Sequence, residues 1–253
     1  MTAPHLIHCS YHKCLTVYFK RVMHATFNLC LPWSGGHRHY NSDLEAFAAD
    51  FRKRRVASVN NRFLDLERLG RFKISRFVRD PRDLVVSGYF YHRRGAEAWT
   101  RIAGPTAEDW AFANGCVPEG LQAQPQMSFA DYLQSLSPED GLLAELEFRR
   151  YHFESMARWP VEHPDILTFR YEDILGNEAR VFDELFEFYG LSWLETALAR
   201  RFVRRYSLRK LPADAHVRNP KSGQWREHFT PRVRQAFEDR HGGLIERLGY
   251  PQD

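Results

Sequence analysis

The sequence predicts an α/β fold, a central parallel β-sheet with helices on both faces, built as one domain over residues 1–253. Three observations carry this reading. A short apolar run at 5–10 (HLIHCS) is followed by a polar loop and then by apolar residues at helical spacing. The same order of strand, loop and helix recurs from residue 74, and such alternation builds a parallel sheet. No linker rich in Pro, Gly or Ser divides the chain, and no internal repeat is visible.

Each element has its own signal. Over 16–30, Val17, Phe19, Val22, Met23, Phe27 and Leu29 fit a helix with a broad buried face. Residues 43–54 read as a helix capped by Ser42 or Asp43, and 56–59 as a short strand. After the apolar run 74–78, Asp80 and Pro81 are start signals for a helix carrying Leu84, Val85, Val86, Tyr89 and Phe90. Residues 95–127 are rich in Gly, Pro, Ala and Trp without a sustained period, the composition of a lid or substrate loop. A single helix is expected over 137–159, opened by Ser137, Pro138 and an acidic first turn. A strand at 166–169 follows, then helices at 178–189, stopped by Gly190, and at 194–206. Thr230 and Pro231 open the last helix.

Composition narrows the function classes. With 43% apolar and 27% charged residues the chain has neither a collagen-like nor a disordered bias. The net charge of +4 is concentrated in basic clusters at 52–55 and 200–210, which suit an anionic ligand and are also what solvated helix faces look like. No apolar run is long enough for a transmembrane segment and no signal peptide is recognisable, so a cytoplasmic protein is expected. Cys9, Cys14, Cys30 and Cys116 form no paired or metal-finger spacing, so free thiols and no metal are expected.

In parallel sheets, ligands sit outside the carboxyl ends of strands. Lys13 and Thr16 lie just after the first strand and before the first helix, where an ammonium and helix N–H groups can hold a phosphate. The kinase pattern GxxxxGK[ST] is absent, because Cys14 follows Lys13 and no glycine precedes Gly35. Arg79 stands at a strand end with Ser87 about two helical turns on, a guanidinium fork and a neutral donor for a second phosphate. The same stretch also reads as local salt bridges among Arg79, Asp80, Arg82 and Asp83, with Ser87 as a small packing residue.

Together, YHKCLTVY at 11–18 and RDPRDLVVSGYFYH at 79–92 resemble the cofactor-binding signature of the P-loop-like sulfotransferases, whose loops usually read YPKSGTTW and RNPKDVAVSYYHF. FRYEDI at 169–174 is similar to that family's FYEDM, RNPKSGQWREHFT at 218–230 to its RKGISGDWKNHFT, and the ending GGLIERLGY to bacterial members. The resemblance implies the P-loop NTPase-like sulfotransferase fold. It also implies transfer of a sulfuryl group from 3'-phosphoadenosine-5'-phosphosulfate (PAPS) to a hydroxyl or amine, leaving adenosine 3',5'-bisphosphate (PAP), without metal or nucleic acid. The acceptor class stays open among small molecules, lipids and carbohydrates. Tyr89, Phe90, Tyr91, Trp99, Trp110 and Phe112 suit either a lipid-like or a sugar acceptor, with 95–127 then an acceptor-side loop, or they are core.

Carried over by residue, Lys13, Thr16 and the backbone of Cys14, Leu15, Thr16 and Val17 hold the 5'-phosphosulfate, and Lys13 is the catalytic cation. Tyr18 replaces a tryptophan that flanks adenine, and Tyr171 stands where the family contacts adenine. Arg79 and Ser87 bind the 3'-phosphate, with Arg218, Lys221, Ser222 and Gly223 closing over it. Leu15 and Val17 replace a glycine and a hydroxyl, and a left-handed Leu15 would cost on the order of 1 kcal/mol. Pro220 stands where the family often has glycine.

Asn60 occupies the place of the histidine base of cytosolic members, so the base is sought in GGHRHYNSDLE, where His39 is the first candidate beside Asp43 and Glu45. Two competing classes remain: a small-molecule kinase needing magnesium and a nucleotide polyphosphate, and an anion- or nucleic-acid-binding module using VRRYSLRK at 203–210.

Overall fold

Side chains alternate along a strand, so the run at 5–10 presents Leu6, His8 and Ser10 to one face and His5, Ile7 and Cys9 to the other. A computed structural model describes residues 3–207 and 222–252. The run forms β1 (His5–Ser10), the middle strand of a five-stranded sheet. The other strands are β2 (His37–His39), β3 (Val56–Asn60), β4 (Phe72–Val78) and β5 (Ile166–Arg170). Their order is β2-β3-β1-β4-β5, and every pairing is parallel.

The helices, in chain order, are α1 (Thr16–His24), α2 (Leu44–Asp50), α3 (Pro81–Arg93), α4 (Glu119–Gln122), α5 (Phe129–Ser135) and α6 (Pro138–Phe148). They continue as α7 (Arg150–Arg158), α8 (Tyr171–Ile174), α9 (Glu178–Tyr189), α10 (Trp193–Arg205), α11 (Trp225–His228) and α12 (Pro231–Arg247). The described residues fall into two compact units, one made of 3–78 and 162–207, the other of 79–161 and 222–252.

The first unit holds the whole sheet. Phe19 of α1, Phe77 of β4 and Phe182 of α9 meet over the face that carries His8, with ring centroids 5.9 to 6.4 Å apart. His8 stacks on Phe19 at 3.6 Å. Its Nδ1 is 2.7 Å from Ser75 Oγ, which is 2.7 Å from Tyr189 Oη, and that hydroxyl donates to the Ile7 carbonyl. This order fixes the protons: Tyr189 gives its own away and accepts from Ser75, so Ser75 accepts from His8 Nδ1–H. The opposite face is also buried, through Ile7, Cys9, Ala57, Val59 and Ile74.

Helix α1 runs directly into a π-helical turn, Ala25–Cys30. Phe19, Val22, Met23 and Phe27 are buried as their spacing requires, but Val17 and Leu29 are 52% and 66% exposed, so the buried face is narrower than expected. The edge strand β2 has no counterpart in the sequence reading. Its three residues, His-Arg-His, carry no apolar signal and are a strand because Val56, Ala57 and Ser58 pair with them.

In the second unit, α3 packs on α5, α6, α11 and α12. The helix expected over 137–159 breaks at Arg149 into α6 and α7. There the fully buried Arg149 donates to Glu145 Oε1 at 2.8 Å, while Glu145 Oε2 lies 2.7 Å from His92 Nδ1. The 95–127 segment is anchored by Trp99, which stacks 5.3 Å from Phe148, and by Trp110, 5.1 Å from Phe129. Tyr89 and Tyr91 are buried as well, whereas Phe112 is exposed.

Candidate active site

Because all five strands are parallel, their carboxyl ends share one edge of the first unit. There the chain leaves β1 and turns into α1. Cys14 N donates to the Tyr11 carbonyl (2.9 Å), and Thr16 Oγ1 lies 2.8 Å from Ser10 Oγ. Lys13 and Leu15 both have left-handed φ, 73° and 61°, with Cys14 between them outside that region. Alternation of this kind turns successive N–H groups toward one side, a concave seat for an anion. Leu15 is the N-cap of α1 and gives no side-chain cap, and the first turn holds no acidic residue. The first-turn N–H groups of α1 therefore point outward without intrahelical acceptors, at the positive end of the helix.

Strain gathers at this edge. Of the five non-glycine residues with left-handed φ among those described, four stand here: Lys13, Leu15, Asn41 and Asn61. Hydrogen bonds hold them in place. Asn61 Oδ1 accepts from His12 N (2.8 Å), Asn41 O from Asn60 N (2.7 Å), and Asn60 Oδ1 from Ser10 Oγ (3.0 Å). Left-handed non-glycine residues persist only where their surroundings over-determine them, and such residues cluster at functional sites. The Leu15 conformation is the one the sequence made costly.

His39 ends β2, with Nδ1 2.9 Å from Ser58 Oγ; His37 Nε2 is 2.9 Å from the same oxygen. Burial, and then the Lys20 cation, hold the His39 imidazole down to about 3, against a hydrogen bond with Asn41 that raises it. His39 is thus neutral. Asp43 is engaged as the N-cap of α2, accepting from Ala46 N at 2.9 Å, and Glu45 is exposed in the same turn. Tyr171 opens α8 just past the end of β5 and is buried. Tyr18, expected beside adenine, packs into the core of the first unit. It is 4% exposed, its Oη donates to the Val203 carbonyl (3.0 Å) and its ring meets Phe182 edge-on, so it is a core residue locking α1 to α9 and α10.

The second unit carries the other group of expected residues. Arg79 is buried and precedes α3, with its guanidinium 4.0 Å from Asp83, and half-buried Ser87 lies on α3. The neighbouring Asp80 and Arg82 form the local pair the sequence suggested, at 2.8 and 3.0 Å, and Asp80 caps α3. Arg82 also reaches the Pro251 and Gln252 carbonyls and lies 3.8 Å over Trp225.

Asp83 does something the sequence reading missed. It accepts from the backbone N–H groups of Gly223 (2.6 Å) and Trp225 (3.0 Å), fastening the segment that carries Ser222 and Gly223. Burial raises its pKa, and the Arg79 guanidinium opposes the rise. Arg218 and Lys221 lie outside the described residues.

A parallel sheet whose first strand feeds an uncapped, lysine-bearing, left-handed loop defines a phosphate-binding α/β protein. Residues 5–249 match the sulfotransferase domain, and the chain belongs to that family. Solved structures share its fold. A mouse sulfotransferase, SULT7A1, complexed with PAP is 17% identical with a TM-score of 0.53, the match covering 99% of this chain and 87% of that one. Retinol dehydratase in complex with androsterone and the inactive cofactor PAP is 15% identical with a TM-score of 0.52, over 99% and 83% of the two chains. Among curated proteins none matches this chain significantly. No helix among the described residues is long and apolar enough to cross a membrane.

Proposed function

We propose that this sulfotransferase takes the sulfuryl group of PAPS and places it on a hydroxyl or amine of a small-molecule, lipid or carbohydrate acceptor. One observation carries the reading: the glycine-free loop after β1 adopts left-handed φ at Lys13 and Leu15 and opens α1 without a cap. A leucine held in that conformation has a use if N–H groups must converge on an anion. Each unit offers its own phosphate donors. In the first unit Lys13, Thr16 and the backbone of residues 14–17 suit the 5'-phosphosulfate, the Cys14 N–H being already bonded to the Tyr11 carbonyl; in the second, buried Arg79 with Ser87 suits a 3'-phosphate, supported by the segment that Asp83 fastens. The PAP complexes among the structural neighbours support the same assignment. A single family match across both units supports reading them as one sulfotransferase domain.

When bound, PAPS supplies an activated sulfuryl group whose departure leaves negative charge on the 5'-phosphate. The Lys13 ammonium and the first-turn N–H groups of α1 answer that charge, and preorganised donors of this kind are commonly the largest catalytic contribution. His39 is the group we assign to receive the acceptor's proton. Its bond to Ser58 holds the ring still; burial keeps it neutral but a weak base, so the assignment requires the acceptor's arrival to raise its affinity for a proton.

Calorimetry without added metal tests the proposal. PAP is expected to bind in preference to ADP and ATP, and Arg79→Ala to weaken PAP by about 30-fold or more while leaving ADP little changed. Lys13→Ala is expected to abolish transfer in an acceptor screen. A preference for ATP with Mg²⁺, or near-wild-type turnover in Lys13→Ala, overturns it.

A further inference from the structure

The outer surface of the α1–α10 pair has a composition that neither folding nor the proposed reaction uses. Tyr18 Oη donates to the Val203 carbonyl, which pins the start of α1 to the end of α10. Helix α10 packs along both α1 and the π-helical turn that follows it. At about 1.5 Å per residue, this antiparallel course brings Leu29 level with Ser192 and Trp193. Arg55 makes a second tie. Its backbone N donates to Gly36 O (3.0 Å), and its side chain grips both Glu195 carboxylate oxygens at 2.6 and 2.9 Å. The turn bearing Trp33 and the first turn of α10 therefore hang on one residue.

Four large apolar side chains on these neighbouring segments are exposed to water. Trp193 is 81% exposed, Trp33 78%, Leu29 66% and Leu194 41%. Tryptophan is highly buried on average, and a contiguous apolar patch marks an interaction site. Arginines flank this one. Arg21 on α1 and Arg201 and Arg204 on α10 are exposed and make no ion pair among the described residues. Two acids on α9 and α10 are neutralised, Glu195 by Arg55 and Asp183 by Arg200 at 2.7 Å.

We infer that this face docks on the surface of an anionic lipid bilayer. Tryptophan rings settle at headgroup depth, leucines reach the acyl boundary, and unpaired arginines meet lipid phosphates and carboxylates. A second copy of the chain fits worse, because a two-fold contact would press the same unpaired arginines together.

Co-sedimentation of the full chain with vesicles of phosphatidylcholine, with and without phosphatidylserine, tests the inference. The protein is expected to pellet with the anionic vesicles, less so as salt rises, and to stay in solution with phosphatidylcholine alone. Trp33→Ser/Trp193→Ser and Arg201→Ser/Arg204→Ser are each expected to weaken retention about tenfold or more with unchanged circular dichroism. Both pairs are exposed and outside the proposed active site, so folding and PAP binding serve as controls. Absence of retention, equal retention of the variants, or a concentration-dependent dimer dispersed by Trp33→Ser/Trp193→Ser overturns the inference.

Discussion

Acidification from pH 7 to pH 5 is expected to destabilise the first unit by about 4 kcal/mol or more, and the reason lies in three histidines on one face of the sheet. His8 stands opposite Ser58 in register, His39 opposite the same serine on its other side, and His37 bonds to it. Burial is the main cause of a lowered pKa in all three: well below the ordinary value for His8, about 3 for His37 and His39. In the unfolded chain each titrates near 6.5. Between pH 7 and 5 the folded histidines stay neutral while the unfolded ones gain protons. The unfolded state then binds more protons, so stability falls as pH falls.

His37 and His39 each contribute about 2 kcal/mol over that interval, about 4 together, a large fraction of the stability of many domains, and His8 adds in the same direction. The figure does not depend on how far below 5 the folded values lie, and mutual repulsion between His37 and His39 does not enter while both are neutral. Asp83 in the second unit acts in the opposite sense. Its raised pKa makes its contribution strongest below the ordinary carboxylate range and lost as pH rises through the folded value.

Urea unfolding followed by circular dichroism at pH 7, 6 and 5 measures the slope. His37→Gln/His39→Asn keeps a polar atom near each bonded ring nitrogen without a titrating group, and should remove about 4 kcal/mol of the pH dependence. Equal stability at pH 7 and 5, or an unchanged slope in the double variant, would refute the reasoning.

Two further outcomes follow from backbone and packing. Leu15→Gly relieves a left-handed leucine but gives the unfolded chain more freedom, so two effects of about 1 kcal/mol each are expected nearly to cancel and leave the thermal midpoint little changed; a loss of about 2 kcal/mol or more would mean the conformation is not strained. Gly88→Ala would set a methyl 2.0 Å from Glu145 Oε1 and 2.3 Å from Arg149 Nη2. Pushing apart a fully buried ion cluster is expected to cost about 3 kcal/mol, and a wild-type midpoint would show that α3 can shift to make room.

The fold was legible where the chain's own pattern decides structure. The strands at 5–10 and 74–78 and the helix starts at Asp80, Ser137 and Thr230 rest on local signals, and the caps form as those residues suggest. What escaped depends on partners distant in sequence. β2 is a strand because of β3, and the break at Arg149 accompanies its bond to Glu145, which also holds His92. Asp83 reads as a helix-start acid until Gly223 and Trp225 arrive from the far end of the chain.

The burial of Tyr18 was legible in the sequence. With Phe19, Val22 and Met23 already marking the buried side of α1, residue 18 falls one turn before Val22 on that same side. An aromatic replacing an aromatic suggested a shared role, while the helical period pointed to the core. The lysine loop was readable in the other direction, since Leu15 could be recognised as costly before its conformation was known.

A loop that bends without glycine also has fewer shapes to choose from. Lys13, Cys14 and Leu15 lose less backbone freedom on being fixed than glycines would, and the strand-end asparagines brace them when no ligand is present. In the function we propose, the seat is therefore rigid before its guest arrives. Nucleotide association should carry a small ordering penalty on this side, with affinity differences among nucleotides expressed mainly in how fast they leave.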